Sequence, residues 1–375
     1  MVKKNQLVVI GGGLAGLCFA IDAKTKGLDV LLIEQKAYPF HKVCGEYISN
    51  EVKPYLTSLG IASTLEEAVD INQLKLSNLY GNSLQVDLPL GGFGISRYTL
   101  DNALYERAVQ VGVEFIHDKV TAIEISSNNK IIHTKNHQIE AQLILAAHGK
   151  RALIDKLLNR KFIAHKTPWV GIKAHFEVPD FDTSIVELHN FHGGYCGISQ
   201  VENKRINLCA LVHTDVFKKY SSITDFVANE MTKNRFVSDF LREANSVFED
   251  YLAISQISFQ QKTKYEEGIL FIGDTAGLIH PLCGNGMAMA IHSAKIASTH
   301  VINYMIHNNF DLLAANYKEE WRKTFQHRMK VGAVLQALLL KPKLTNIAMR
   351  MLTQTPTLVK TIIRQTHGEK VLPID

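Results

Sequence analysis

The chain has 375 residues, of which 46% are hydrophobic and 21% charged, a composition that supports a large core and excludes a disordered chain. A net charge of +5 is too small by itself to indicate nucleic acid as a partner. Five cysteines without close spacing exclude a disulfide scaffold or a zinc ribbon and favour a reduced, cytoplasmic protein.

The first 35 residues have the pattern of a βαβ unit. An apolar, β-branched run at 6–10 is typical of a strand buried in a parallel sheet, and it leads into the sequence GGGLAG. Residues 17–27 have helical spacing, and residues 28–35 predict a second buried strand. The chain therefore opens with the unit on which dinucleotide-binding folds are built.

Three glycines in this unit have the spacing GxGxxG. Gly11 permits a tight turn, Gly13 lets the backbone approach a pyrophosphate, and Gly16 lets the helix pack closely on the strand. Glu34, at the end of the second strand, is placed to accept hydrogen bonds from an adenosine ribose. The unit predicts a dinucleotide site rather than a structural turn, with contacts from Gly11, Gly13, Leu14, Ala15, Gly16, Glu34 and Gln35.

The rest of the chain alternates between two kinds of sequence pattern. Residues 72–90 contain short alternating strands, 97–111 have the spacing of a helix, and 168–215 alternate apolar and polar residues as an antiparallel sheet with one covered face does. Residues 268–274 return to the buried-strand type, and a helix begins near Met287. These patterns predict a nucleotide domain interrupted by an antiparallel insert.

The segment FIGDTAGLIHPLCGNGMAMAIHSA, at 271–294, resembles the second FAD fingerprint of the family of p-hydroxybenzoate hydroxylase and geranylgeranyl reductase. The resemblance implies that Asp274 binds the ribityl or pyrophosphate region and that the loop after it wraps the flavin ring. The start of the following helix would face the pyrimidine edge, where its dipole favours negative charge. The contacts implied here are Gly273, Asp274, Pro281, Gly284, Asn285, Gly286 and Met287.

Two further segments resemble the same family. ISRYTLDNAL matches its "RxxLDxxL" helix, which implies that Arg97 lies near the cofactor phosphates or ribityl chain; the alternative is a solvated helical arginine. KVCGEYIS matches its "CGE" segment, which implies that Cys44 lies near the flavin ring as a catalytic residue; the alternative is an inert buried cysteine. Val120 and Gly149 complete the cofactor contacts that the resemblance implies.

One position departs from the family pattern. Where family hydroxylases carry Ala-Asp-Gly, this chain has His148 before Gly149, which weakens the expectation of direct NADPH docking. We therefore expect a separate electron donor, ferredoxin or flavodoxin, as an alternative to NADPH; the counter-hypothesis is that His148 makes a structural hydrogen bond to a backbone group. The paired-tryptophan motif of halogenases is absent, since Trp169 and Trp321 are far apart.

Two weaker patterns have competing interpretations. Glu187, His189 and His192 imitate metal ligands, but no fourth ligand is apparent, so we expect no metal. The tail from 331 to 375 has basic, amphipathic helical spacing, which fits either packing on the catalytic body or peripheral contact with a membrane.

The expected fold is α/β with an α+β insert: a Rossmann-like FAD-binding domain (1–70, 96–165 and 262–325), an antiparallel substrate-binding domain (71–95 and 166–261) and a C-terminal helical segment (326–375). The expected function is an FAD-dependent oxidoreductase of an apolar, lipid-like small molecule, of the geranylgeranyl-reductase type. The alternatives are a flavin-dependent monooxygenase acting on an aromatic, polyketide or isoprenoid compound, and a non-catalytic flavin carrier.

Overall fold

A computed structural model describes residues 3–126, 129–150, 152–165 and 167–373 of the chain. The strands in these ranges are β1 Lys3–Ile10, β2 Val30–Ile33, β3 Tyr47–Ser49, β4 Val69–Ser77, β5 Ser83–Gly94, β6 Glu114–Ile116, β7 Val120–Ile125, β8 Lys130–Thr134, β9 Gln138–Ala146, β10 Trp169–Glu177, β11 Ile185–Phe191, β12 Gly194–Gln200, β13 Ile206–His213, β14 Asn245–Ser246, β15 Leu252–Ser255, β16 Tyr265–Glu266 and β17 Ile269–Phe271.

The α-helices in the same ranges connect or flank these strands. They are α1 Leu14–Thr25, α2 Lys53–Ser58, α3 Ala62–Glu66, α4 Arg97–Gln110, α5 Leu153–Leu157, α6 Thr214–Phe217, α7 Ile223–Asn229, α8 Arg235–Glu243, α9 Gly286–His307, α10 Phe310–Leu339, α11 Pro342–Gln354 and α12 Pro356–Thr366.

The first sheet contains the dinucleotide-type unit. Its order is β16–β17–β9–β1–β2–β6, and β1 pairs in parallel with both β2 and β9. The register joins Ile10 to Ile33 on one side and to Ala146 on the other, so the carboxyl ends of three strands meet at one edge. The predicted buried strand before residue 274 is β17, and it pairs in parallel with β9. Ligands of open parallel sheets bind at this edge.

The second sheet forms the wall opposite that edge. Its order is β14–β10–β13–β12–β11–β4–β5–β3, with β15 also paired to β10. Neighbouring strands are antiparallel except β11 and β4, which run in parallel. Alternate residues of β10 separate an apolar face, which packs under α7 and α8, from a face directed toward the first sheet. Strand β3 comes from the N-terminal part of the chain and ties the two units together.

The last two helices pack on the second sheet. Met349 of α11 and Val359 and Ile363 of α12 are buried in a cluster with Leu84 and Val86 of β5. Within the described residues, no helix is both long enough and apolar enough to cross a membrane. The predicted fold class, an α/β unit with a second, mostly antiparallel sheet and a helical C-terminal segment, is confirmed.

Candidate active site

The glycine turn after β1 has a steric reason for two glycines of the GxGxxG pattern. Gly11 has φ +108°, and a Cβ there would lie 2.5 Å from the Ala147 carbonyl oxygen. A Cβ at Gly16 would lie 2.0 Å from the Gly11 carbonyl oxygen. At Gly13, by contrast, the nearest atom to a Cβ would be the Arg97 guanidinium nitrogen, 3.7 Å away. The turn is therefore closed toward the sheet and open toward the cavity in front of it.

Glu34 shapes the same turn from the end of β2. Its carboxylate accepts a hydrogen bond from the Gly12 N–H at 2.8 Å and another from the Lys36 N–H at 3.0 Å. The Tyr38 hydroxyl donates to the Gly12 carbonyl at 2.5 Å. The Glu34 carboxylate is therefore held in place beside the position where a ribose would lie.

The second predicted fingerprint forms the facing wall. Gly273 has φ +60°, a Cβ there would lie 2.8 Å from that of Ala15, and its N–H donates to the Ser293 hydroxyl at 2.8 Å. The buried Lys262 ammonium donates to the Asp274 carbonyl at 2.7 Å. These contacts hold the Gly273–Asp274 turn against the first glycine turn, so the two fingerprints share one cavity.

Two cations share one buried carboxylate at the mouth of the glycine turn. Arg97 donates twice to Asp101, at 2.7 and 2.8 Å, and Lys42 donates to the same carboxylate at 2.8 Å. Burial acts to raise the pKa of Asp101, but the two cations outweigh it and hold that pKa below its ordinary value. Two positive charges against one negative leave a net positive charge at the cavity, which suits a phosphate. The helical spacing of Arg97 and Asp101 was a sequence signal for this pair.

The loop that carries Cys44 is fixed by buried polar groups. The Asn207 amide donates to the carbonyls of Cys44 at 3.2 Å and Gly45 at 2.8 Å. The Glu46 carboxylate, which is fully buried, accepts hydrogen bonds from the buried Lys173 ammonium and from the His175 imidazole at 2.7 Å. Cys44 lines the cavity at this loop.

Glu46 remains ionised in this setting. Burial acts to raise its pKa, but Lys173 and His175 outweigh it, so the pKa of Glu46 lies below its ordinary value of 4.5. Its backbone also takes the left-handed conformation, with φ +56°. Lys173 and His175 were missed by the sequence analysis, although these two polar residues alternate with apolar ones along β10.

Two more missed residues line the cavity beside Cys44. Burial, with a smaller effect of the nearby Cys44, raises the pKa of the Cys209 thiol to about 12, so Cys209 stays protonated at neutral pH. Burial and the neighbouring Lys173 lower the pKa of His41 to about 4, so His41 is neutral there. The cavity wall at Cys44 thus has an uncharged thiol and an uncharged imidazole.

His148 has a side-chain partner. Its Nε2 lies 3.0 Å from the Asp155 carboxylate, which also accepts a hydrogen bond from Arg160 at 2.8 Å. The His148 and Arg160 hydrogen bonds outweigh burial and lower the pKa of Asp155 to about 2. The counter-hypothesis of a structural hydrogen bond therefore describes His148, except that the acceptor is a carboxylate and not a backbone group.

A single cavity of about 740 Å³ joins these parts. Of the residues predicted to bind the cofactor or act in catalysis, those that line it are Gly11, Gly13, Leu14, Ala15, Glu34, Gln35, Cys44, Arg97, Gly149, Gly273, Asp274, Pro281, Gly284, Gly286 and Met287.

Three predicted residues lie off the cavity lining. Gly16 is buried in α1 behind the turn, and Val120 begins β7, in the hairpin beside β9. Asn285 is fully buried and directs its amide to the Glu51 carboxylate at 3.1 Å. Their roles as cofactor contacts remain predictions.

The cavity also extends beyond the fingerprints. Its far end lies between the second sheet and helices α10, α11 and α12, and we call it the apolar compartment. Its lining consists of Leu74, Leu76, Leu88, Val186, Leu188, Leu335, Leu338, Leu339, Ala348, Met349, Leu352, Val359, Ile362 and Ile363, with Thr345, Thr366 and His367.

Two of the three residues that imitate metal ligands, Glu187 and His189, are paired with each other and with other side chains. Glu187 accepts from Lys75 at 2.8 Å and lies 2.7 Å from the His189 imidazole, which contacts the Ser77 hydroxyl at 2.7 Å. Among the described residues, no group of three His, Cys, Asp or Glu side chains is placed to hold a metal ion.

Residues 4–329 match the model of the family described as FAD binding domain. The chain belongs to this family. FAD is its cofactor, and the protein is a flavin-dependent oxidoreductase, as the two fingerprints predicted.

Curated relatives of this flavoprotein include enzymes of different reactions. It is 25% identical to digeranylgeranylglycerophospholipid reductase 1 of Methanopyrus kandleri, over 90% of this chain and 92% of that one. It is 22% identical to a menaquinone reductase of Mycobacterium tuberculosis, over 78% and 75% of the two chains. It is also 22% identical to a pyrrole-carrier-protein brominase of Pseudoalteromonas luteoviolacea, over 77% and 75%.

Solved structures share the fold of this flavoprotein at lower identity. The flavin-dependent brominase Bmp2 superposes with a TM-score of 0.80 at 17% identity, over 97% of this chain and 93% of that one. PqsL, a probable FAD-dependent monooxygenase from Pseudomonas aeruginosa, superposes with a TM-score of 0.73 at 12% identity, over 91% and 98%. At this identity the likeness concerns the fold and leaves the reaction open.

The residues of this flavoprotein fit FAD. No described side chain caps the N-terminus of α1 or of α9, so their backbone N–H groups are available to a bound anion at two places on the cavity wall. The open side of Gly13 and the net positive charge at Arg97 and Lys42 suit a pyrophosphate. When bound, FAD supplies two-electron chemistry, and the protein supplies binding, orientation and electrostatics.

Proposed function

We propose that this flavoprotein reduces carbon–carbon double bonds of a long, lipid-like substrate, with the hydride supplied by its flavin. The observation that carries the proposal is the apolar compartment, which is continuous with the FAD site in one cavity. A chain laid along this compartment exchanges water for hydrocarbon contacts, at about 0.8 kcal/mol per methylene group. A substrate bound in the apolar compartment would therefore reach the cofactor without a rearrangement of the fold.

The two threonine hydroxyls of the apolar compartment support this. The Thr345 hydroxyl donates to the Leu338 carbonyl at 2.9 Å, and the Thr366 hydroxyl donates to the Ile363 carbonyl at 2.9 Å. Because these hydroxyls already donate to backbone carbonyls of the helices, their protons are not free to bind a polar ligand. The compartment favours a hydrocarbon chain over a sugar, nucleotide or peptide.

Reduction of a double bond adds one hydride and one proton to the two carbons. The flavin supplies the hydride, and a group on the substrate side must supply the proton. We assign Cys44 to that side of the cavity, because it lines the cavity on a loop that Asn207 and Glu46 hold in place. Cys209, whose pKa burial raises to about 12, keeps its proton at neutral pH.

The electron donor is part of the same proposal. NADPH, ferredoxin and flavodoxin are the donors to compare. Since His148 is bonded to Asp155, a carboxylate stands close to the position where family hydroxylases carry one. The departure at His148 therefore does not by itself argue against NADPH.

Anaerobic single-turnover experiments test the reaction. The protein with bound FAD is reduced with dithionite, or with NADPH in a parallel sample, and mixed with a polyprenyl lipid in detergent. The expected result is reoxidation of the flavin, seen in its visible absorbance, with a product that has gained two hydrogen atoms per reduced bond. A product that has gained one oxygen atom after admission of air, and none without air, would instead identify a monooxygenase.

Variants of two apolar positions test the compartment itself. Leu352→Trp fills the apolar compartment, whereas Leu312→Trp, on the half-exposed start of α10, makes the same change outside it. We expect Leu352→Trp to slow reoxidation by the long lipid at least about ten-fold, the size of about 1.4 kcal/mol, without slowing reduction by dithionite. Equal rates in the two variants would refute the compartment as the substrate site.

A further inference from the structure

Helices α11 and α12 have two different faces. Their inner faces line the apolar compartment, as the packing alternative for the tail expects. Their outer faces carry large apolar side chains in solvent: Leu344 is 45% exposed, Ile347 57%, Met351 64% and Leu358 50%. The first three have the spacing i, i+3, i+7, which places them on one side of α11.

The stretch of sequence that carries these side chains has charged residues of one sign. No Asp or Glu occurs from residue 321 to residue 368, whereas Lys and Arg recur through the same stretch. Lys343 and Arg350 are exposed on α11, and no ion pair joins either to an acidic side chain among the described residues. Lys360 of α12, in contrast, is paired with Asp87 at 2.8 Å. The free cations thus lie beside the exposed apolar side chains.

We propose that this surface docks on an anionic lipid bilayer. We call it the tail face and define it as Leu344, Ile347, Met351 and Leu358 with Lys343 and Arg350. A helix with an apolar face and basic flanks lies in the interface of a bilayer, with its apolar side chains among the acyl chains and its cations at the headgroups. No described helix spans a membrane, so contact is limited to the surface.

The tail face fits a bilayer better than a second copy of the chain. In a two-fold dimer the same patch would meet itself, and the cations of both copies would approach each other without an acid to separate them. An anionic bilayer instead brings negative charge to every cation at once.

Docking would also place the substrate at the site. The two helices form the wall between the outer surface and the apolar compartment. Among the described residues, few polar contacts join these helices to the second sheet and its loops. The Asn346 side chain accepts from Asn82 at 2.6 Å, and Lys360 pairs with Asp87. A single layer of helices would therefore separate a lipid in the bilayer from the apolar compartment. This step rests on the proposed function, whereas docking itself does not.

Vesicle flotation of the protein with bound FAD tests docking. The probes are phosphatidylcholine vesicles with and without phosphatidylglycerol. We expect binding to the anionic vesicles, at least ten-fold weaker binding to the zwitterionic ones, and loss of binding at high salt. The double variants Ile347→Asp/Met351→Asp and Lys343→Glu/Arg350→Glu should each weaken binding at least about ten-fold, since each cation near the surface contributes about five-fold.

The matched control is Ile306→Asp, which changes an apolar residue of α9 that is 68% exposed but outside the tail face. It should bind as the unaltered protein does. Equal loss in this control, equal binding to both vesicle types, or no binding to anionic vesicles would overturn the proposal. So would a dimer in ultracentrifugation that Ile347→Asp/Met351→Asp converts to a monomer.

Turnover separates docking from the proposed function. With lipid in detergent, the tail-face variants should turn over normally, because their side chains do not line the cavity. Vesicle binding without turnover of any polyprenyl lipid would refute the substrate and leave docking supported. Normal turnover without vesicle binding would refute docking alone.

Discussion

Replacement of Lys173 by Met should strongly destabilise the protein. Lys173 and Glu46 are both fully buried, so the substitution leaves a buried carboxylate without its cation. Breaking a buried pair by removing one partner costs about 3–5 kcal/mol. Glu46 keeps the His175 imidazole at 2.7 Å and the Arg97 backbone N–H at 2.7 Å, so we expect the lower end, about 3 kcal/mol.

The pH dependence of this loss has a definite sign. In the unaltered protein the pKa of Glu46 lies below its ordinary value of 4.5, so its contribution to stability is present above that pH and is lost as the pH falls through the lower folded value. Without Lys173 the pKa of Glu46 rises, and acid then supplies the missing neutralisation. The difference between Lys173→Met and the unaltered protein should therefore shrink as the pH is lowered from 7 toward 5.

Urea unfolding of the FAD-loaded protein, followed by tryptophan and flavin fluorescence, measures the loss. Two controls bracket it. Lys53→Met removes the exposed partner of Asp70 and should cost less than about 1 kcal/mol. The double variant Glu46→Gln/Lys173→Met removes the stranded charge and should recover much of the loss. A change under about 1 kcal/mol in Lys173→Met, or no recovery in the double variant, would refute the reasoning.

Three further substitutions test other parts of the site. Gly16→Ala places a methyl group 2.0 Å from a backbone carbonyl of the glycine turn. The FAD content should therefore fall severalfold, and the free energy of unfolding should fall by at least about 2 kcal/mol. Full flavin content by absorbance would contradict this. Cys44→Ala should slow lipid-dependent flavin reoxidation at least about ten-fold with a stability change under about 1 kcal/mol, and the reverse pattern would favour an inert buried cysteine. His148→Asp places a carboxylate against that of Asp155, so it should lower the melting temperature more at pH 7 than at pH 5, because acid protonates one of the two carboxylates. A faster reduction by NADPH with unchanged stability would restore the original hypothesis about His148.

The cofactor and the fold class were predictable because their signals are local. A strand, a glycine turn and a helix within 35 residues leave few ways to fold. Gly11 and Gly16 lie so close to neighbouring backbone atoms that only residues without a Cβ fit there. The turn at Gly273 has a similar steric reason. The second sheet was predictable from another local signal, the alternation of apolar and polar residues along its strands. The pair of Arg97 and Asp101, one helical turn apart, belongs to this class as well.

The surroundings of the site were decided by tertiary structure. Glu46 meets its partners Lys173 and His175 across 127 and 129 residues, and neither pairing has a pattern in the sequence. His148 could be recognised as a departure, but its partner depended on how α5 packs beside β7. Likewise, the amphipathic spacing of α11 and α12 was visible in the sequence, whereas the apolar compartment behind them exists only because both helices pack on β5. Steric rules within a turn act between neighbours in the chain, whereas burial and charge pairing depend on which distant segments the topology brings together.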